Sequence, residues 1–417
     1  MSTLADQAEI GRSPWSLRLS RFLPIASFDR QFWNFFLASV FFDLGMFVFA
    51  FLYNLYLLDR GLTEKTMGWI AGALSLGTML ATIPAGRFAR KIGLKNALLS
   101  CFVAIPLLSA FRALVSGDVL LVLFALLGGG VFAVWAVSLP PAVASLTNEG
   151  NRSVGFSLIF ALGIGSGILG GYLGGHLPSW CSSLKNGSPA ELKQVSLLLS
   201  CLFVLAGALP CRRLAIATAA PASNSTTFPA SSYLWRFLPP IAAWSFGLGV
   251  VSPFLSVYLT KNLHLALPQV GSMFSLSQFL QMVSVLAAPR IFRRWGTLST
   301  VTLSQVATSI SLVGFASLLA GPWMLLSFSA YSLFQYMNEP GVYTLLMNNV
   351  AAEEQSSAAA WNFFVICAAQ SAAALISGTL ILRLGYSVVL SSAAALMAVS
   401  GVALYFSVRQ REPLLRS

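Results

Sequence analysis

The chain is a succession of apolar runs, each about the length that crosses a bilayer. A transmembrane helix needs roughly 20 mostly apolar residues. Such runs cover 32–58, 66–86, 97–115, 119–141, 154–175 and 195–210, then 237–260, 268–289, 298–320, 323–347, 358–382 and 386–408. They form two sets of six. Between them the 417 residues hold only 25 Lys and Arg and 13 Asp and Glu, and the mean hydropathy is +0.78. A soluble domain of this size needs far more charge to cover its surface. The period-two alternation of barrel strands is absent, which excludes a transmembrane barrel. The expected class is an all-α membrane protein of about twelve transmembrane helices in two six-helix halves.

The organisation that follows is a cytoplasmic N-terminal segment 1–31, a first half 32–210, a linker 211–236, a second half 237–408 and a tail 409–417. The linker, CRRLAIATAAPASNSTTFPASSYLWR, is rich in Ala, Ser, Thr and Pro and reads as flexible. The N-terminal segment lacks a short apolar core with a small-residue cleavage site, so no removable signal peptide is expected. It is either a basic amphipathic segment lying on the membrane through Trp15, Leu19 and Phe22, or a loose tail. The net charge of +12 does not make a nucleic-acid binder, because the cations sit in short clusters between apolar runs. The five cysteines have neither disulfide-framework nor metal-type spacing.

Lys and Arg bias sets the orientation. With the N-terminus in the cytoplasm, only Arg60, Lys65, Arg112, Lys185, Lys193, Lys261 and Arg383 of the 25 cations fall outside. Both termini are therefore expected to be cytoplasmic, in a plasma (inner) membrane, with lipids as surroundings.

The stretch PAGRFARKIGLK at 84–95 follows the second run, and AAPRIFRRWG at 287–296 follows the eighth. They align without gaps: Arg87 with Arg290, Arg90 with Arg293, Lys91 with Arg294, Gly93 with Gly296. Anchoring needs cations but no fixed spacing, so the shared register implies duplicated halves. Here the sequence resembles the major facilitator superfamily over nearly its whole length. That family typically carries Gly-x-x-x-Asp-Arg-x-Gly-Arg-Lys in this loop, and this chain supplies Gly86, Lys91, Gly93 and Lys95. The acidic position is Arg90, with Arg293 as its counterpart, which puts the family's usual cytoplasmic charge latch in doubt. The fifth run is glycine-rich like the family's antiporter signature, but Gly167 stands where that signature expects Pro. The fourth run lacks the buried Arg of many proton-coupled members. The resemblance implies two pseudo-symmetric halves around a central cavity lined by runs one, four, seven and ten.

Two acids stand deep in the runs: Asp43 in the first and Glu339 in the tenth. A charge at mid-membrane costs on the order of 3 kcal/mol or more, so each is a functional candidate, for proton coupling. The alternative is a packing hydrogen bond to a neighbouring helix. Ser39, Asp43, Phe47, Ala50 and Asn54 share one helical face, and Tyr331, Gln335 and Glu339 another, with Asn338 beside them. Pro340 cannot donate an N–H, so a break is expected next to Glu339. Asn54, Gln278, Gln281, Gln335, Asn338 and Asn362 are candidates for substrate contact or for bonds between helices. Trp135 is a candidate cavity wall. No Lys or Arg is expected to reach the cavity, which would then favour a neutral, amphipathic or cationic solute.

The expected function is secondary transport of such a solute by alternating access, as a monomer, with proton-coupled efflux ahead of uptake symport, facilitation or lipid flipping. No Walker-type loop, nucleophile–base constellation or metal spacing occurs, so neither an enzyme nor a cofactor is expected.

Overall fold

The computed structural model describes residues 28–148, 151–183, 186–215, 231–317, 321–351 and 354–409. The readings of Trp15, Leu19 and Phe22, of most of the linker and of the tail lie outside the described residues. Among the described residues twelve long helices follow one another. The first half holds α1 (Arg30–Asp59), α2 (Glu64–Ile92), α3 (Leu94–Leu114), α4 (Asp118–Ser145), α5 (Arg152–Ser182) and α6 (Pro189–Ala206). The second holds α7 (Ser232–Val251), α8 (Leu267–Trp295), α9 (Thr297–Ala316), α10 (Pro322–Asn348), α11 (Gln355–Leu384) and α12 (Tyr386–Val408). A short turn of helix, Ala208–Arg212, follows α6, and α7 continues through a 3-10 turn, Ser252–Phe254, into Leu255–Lys261. Among the described residues no strand occurs.

Eleven of these helices are long and apolar enough to cross a membrane. The other, α10, has 27 residues but is less apolar, because Tyr331, Ser332, Gln335, Asn338 and Glu339 crowd its middle. Its Pro340 leaves the helix continuous, contrary to the break expected there. The break falls in α7 instead, at Pro253. Helix ends follow ordinary chemistry. At the start of α6, Ser188 and Glu191 form a capping box ahead of Pro189.

The two aligned glycines occupy the same place in the two halves. Gly93 alone separates α2 from α3, with φ 85° and ψ 148°, and Gly296 alone separates α8 from α9, with φ 80° and ψ 148°. Side-chain-bearing residues avoid that backbone region, so both junctions require Gly. The cations before them, Arg90, Lys91, Arg293 and Arg294, lie exposed in the last helical turn, where positive charge complements the helix dipole. These junctions mark what is called here the basic end of the bundle.

The halves meet along α2 with α11 and α5 with α8. At the end away from the basic loops they share one apolar core, in which Val48, Phe51 and Met67 join Val251, Phe254, Val270 and Ala373. At the basic end each half keeps its own: Phe35, Phe42, Phe102 and Trp135 in one, Tyr233, Phe237, Val342 and Leu404 in the other. Small residues permit the close approach at the joined end. Gly68 and Gly72 face α11, Gly171 and Gly175 face Gly271 of α8, and a Cβ on Gly378 would run into the carbonyl of Glu64. Ser371 donates to the Gly72 carbonyl at 2.9 Å, and Ser275 to that of Ile168 at 2.7 Å. The two halves are thus clamped at one end and hold separate cores at the other.

Candidate functional site

A cavity of about 610 Å³ lies between the halves, beneath the clamped end. Aromatic rings make much of its wall: Phe47, Phe49, Phe51 and Tyr53 from α1, Phe132 from α4, Phe274 from α8 and Phe363 from α11. Polar groups interrupt it at Ser75, Ser109, Asn54, Ser252, Gln278 and Gln370. This is the composition of an organic-ligand site, mostly apolar with a few placed polar groups. Pro253 cannot complete a helical hydrogen bond, which loosens α7 where it borders the cavity. The carbonyl that loses its helical donor is that of Gly249, and the Asn54 amide of the other half donates to the Pro253 carbonyl.

Among the described residues one lining residue is charged, and it is a cation. Arg112, in the last turn of α3, is 7% exposed. Its guanidinium carbon lies 4.1 Å from the centre of the Tyr53 ring and 5.6 Å from that of Phe49. Its Nε and the Tyr53 hydroxyl are buried without a hydrogen-bond partner. The expectation that no Lys or Arg reaches the cavity fails here. Arg112 stands near the end of α3, but α1 runs on beyond that level, and Tyr53 and Phe49 cover it. The Tyr56 hydroxyl and the Gln194 amide both donate to the Ala113 carbonyl, and Arg60 donates to Val115, tying this end of α3 to α1 and α6.

The residues singled out in the sequence divide. Phe47, Asn54 and Gln278 line the cavity, with Ala50 beside them. Ser39 is fully buried two turns further toward the basic end, its hydroxyl unpartnered. Trp135 is core: its ring stacks on Phe42 with centroids 3.9 Å apart and packs edge-on against Phe102. Gln281 is half-buried outside the lining. None of Tyr331, Gln335, Asn338 and Glu339 lines this cavity, so α10 does not contribute the wall that the resemblance implied. Asn338 accepts a hydrogen bond from Gln305 of α9 at 3.0 Å, and Tyr331 is buried in the shared core. Glu339 is exposed near the basic end. Asn362 is fully buried with its amide unpartnered. Asp43 is half-buried one turn from Phe47, on the basic-end side of the cavity, facing Gly163 of α5. Of the loop residues, Gly86, Arg90, Lys91 and Lys95 remain at the basic end with Gly93, as do Arg293 and Arg294 with Gly296.

Sequence reasoning passed over the residues that close the other end. Glu64, at the start of α2, is 2% exposed and accepts from the Lys261 ammonium at 2.6 Å and from the Tyr386 hydroxyl at 3.2 Å. Three elements from two halves meet on one carboxylate. An acid at the first position of a helix reads as an exposed cap, and nothing local marks Glu64 as buried. Pro253 did carry a signal, as a proline in mid-run.

The comparisons agree with this architecture. The solved structures similar to the chain include a mutant of the nucleoside transporter NupG (TM-score 0.77, 14% identity, 91% of this chain and 100% of that one). They also include a bacterial homologue of the iron transporter ferroportin in an inward-facing state (TM-score 0.73, 12% identity, 91% and 98%). A D-xylose–proton symporter is similar too (TM-score 0.68, 13% identity, 91% and 98%). At such identities the likeness is one of fold. No curated protein matches the sequence significantly. The family model for the Major Facilitator Superfamily matches residues 35–374 and 241–416. With that match across both halves, an all-helical bundle and a cavity between duplicated units, the chain is a multi-pass membrane protein belonging to the major facilitator superfamily of secondary transporters.

Proposed function

We propose that the protein carries a small amphipathic organic solute across the membrane by alternating access, coupled to protons through Asp43. The observation that carries the reading is the cavity between the halves, clamped at one end and flanked by separate cores at the other. Rocking one half against the other would exchange which end is joined. The basic end is proposed to be the cytoplasmic one, by the excess of Lys and Arg there, and α1 begins and α12 ends on that side.

Asp43 supports the proton assignment. It is a carboxylate inside the first span, without a hydrogen-bond or ion-pair partner among the described residues. Protonation relieves the cost of holding it there. Glu339, exposed on α10, is the weaker proton carrier and serves as the contrasting variant. Outward transport in exchange for protons is the proposed direction. Its support is the aromatic lining of the cavity. Arg112 in the wall removes the reason for preferring a cationic solute. The protein is proposed to act as a monomer in the plasma (inner) membrane.

The test is proton release on solute addition, in weakly buffered purified protein, across a panel of neutral, cationic and anionic aromatic solutes. Release on binding, lost in Asp43→Asn and kept in Glu339→Gln, is the expected result. Binding without proton release in the unaltered protein contradicts coupling through Asp43.

A further inference from the structure

We infer that Arg112 and Tyr53 form an oxyanion-recognition site in the cavity wall, so that the solute is an organic acid: a carboxylate on an aromatic or apolar body. The inference rests on the transporter reading and adds the chemical class of its cargo.

The argument begins with cost. A guanidinium that is more than nine-tenths buried must be compensated, and an unpaired buried charge is strongly unfavourable. Stacking against Tyr53 and Phe49 supplies part of the compensation. No carboxylate supplies the rest. Among the described residues no Asp or Glu lines the cavity. The acids described at that end of the bundle have other partners: Asp59 pairs with Lys193 and Glu64 with Lys261, each at 2.6 Å, Asp118 accepts from the Thr66 hydroxyl at 3.0 Å, and Glu191 accepts from the Ser188 amide at 2.9 Å. Asp43 lies about ten residues below Tyr53 on α1, on the order of 15 Å along the helix axis.

The donors are also idle. Arg112 makes no hydrogen bond among the described residues, its Nε is buried without a partner, and so is the hydroxyl of the tyrosine it stacks on. Arg112 and Tyr53 both line the cavity, and the planar N–H fork of a guanidinium gives a carboxylate two parallel hydrogen bonds that a neighbouring hydroxyl can supplement. Two rings from α1 hold the fork in place, so little rotamer freedom is lost on binding. The rest of the wall is apolar and aromatic, which suits the body of the solute and not a second charge. At about 610 Å³ the cavity admits a small acid, and a diacyl lipid does not fit inside it.

The experiment uses three probes of one skeleton, 3-phenylpropionate, 3-phenylpropionamide and 3-phenylpropylamine, and the longer members of each series. Binding to purified protein in nanodiscs is read by calorimetry. The expected result is that a carboxylate binds about ten- to a hundredfold more tightly than its amide or amine. Arg112→Gln should bring the carboxylate-to-amide ratio to about one, and Arg112→Lys should leave an intermediate preference because it keeps the charge without the fork. Tyr53→Phe keeps the stacked ring and removes an unpartnered hydroxyl, so it folds as before and should weaken the carboxylate several-fold while sparing the amide. Equal binding across the three probes, tighter binding of the amine, failure of every carboxylate to bind, or a preference that survives Arg112→Gln overturns the inference. The transport reading is judged separately by uptake of labelled probe into proteoliposomes. Arg112-dependent binding without uptake keeps the acid site and removes the transporter, whereas uptake of the amine alone does the reverse.

Discussion

Glu64 on α2 and Lys261 at the end of α7 face each other across the boundary between the halves, ammonium to carboxylate at 2.6 Å. Tyr386 of α12 bonds the same carboxylate, so one buried acid joins both halves at the clamped end. A conformation open at that end must separate these groups. The contact therefore sets part of the energy difference between the two states.

Removing Lys261 alone, as Lys261→Met, leaves Glu64 buried with only the tyrosine. A hydrogen bond to a charged group contributes about 1.5–3 kcal/mol, so the clamped state should lose that much relative to the open one. Lys261→Met with Glu64→Gln should lose less than Lys261→Met alone. A double-mutant cycle on the rate of thiol labelling at a cysteine placed in the clamped interface checks this.

Gly378→Ala should act in the same direction by sterics. Its new methyl group meets backbone, the carbonyl of Glu64, which cannot swing aside as a side chain would. Overpacking of this kind costs about 1–3 kcal/mol. The variant should label faster at the clamped end and transport more slowly, while Gly117→Ala, in open space, leaves both unchanged.

Gly93→Ala and Gly296→Ala should each lower stability by about 1–3 kcal/mol, and by similar amounts, because the two junctions share one backbone geometry. Thermal unfolding in detergent reads the loss. Lys91→Gln, exposed beside Gly93, should stay within about 0.5 kcal/mol of the parent protein.

Trp135→Ala should cost about 3–5 kcal/mol in stability, through loss of the stack on Phe42 and the edge contact with Phe102. Its effect on solute preference should be small, since the ring lies in the core of the first half. Unfolding midpoints and the ratio of affinities for two solutes separate the two roles.

The helices and the duplication were legible in the sequence because apolar length and cation register are properties of consecutive residues. The wall of the cavity was not. Which face of a helix looks inward depends on its neighbours, and two cases show how. Arg112 stands near the end of its own run, yet α1 extends past it and buries it under Tyr53 and Phe49. The polar residues of α10 looked like a binding face, yet Asn338 is engaged with Gln305 of α9. Asn54 was legible for the opposite reason. It shares the face of Phe47 on one helix, and that face is the wall.

The central claim is that the cavity is reached from one end at a time. Its most direct test is a pair of distance measurements by spin labels, after replacement of the five buried cysteines. One pair, at Arg90 and Arg293, spans the basic end, and the other, at Lys65 and Arg383, spans the clamped end; all four positions are exposed. The account predicts two populations at each end that change in opposite senses, with Lys261→Met lengthening the Lys65–Arg383 distance and shortening the other. A single distance at each end, unmoved by Lys261→Met and by every solute that binds, would contradict it.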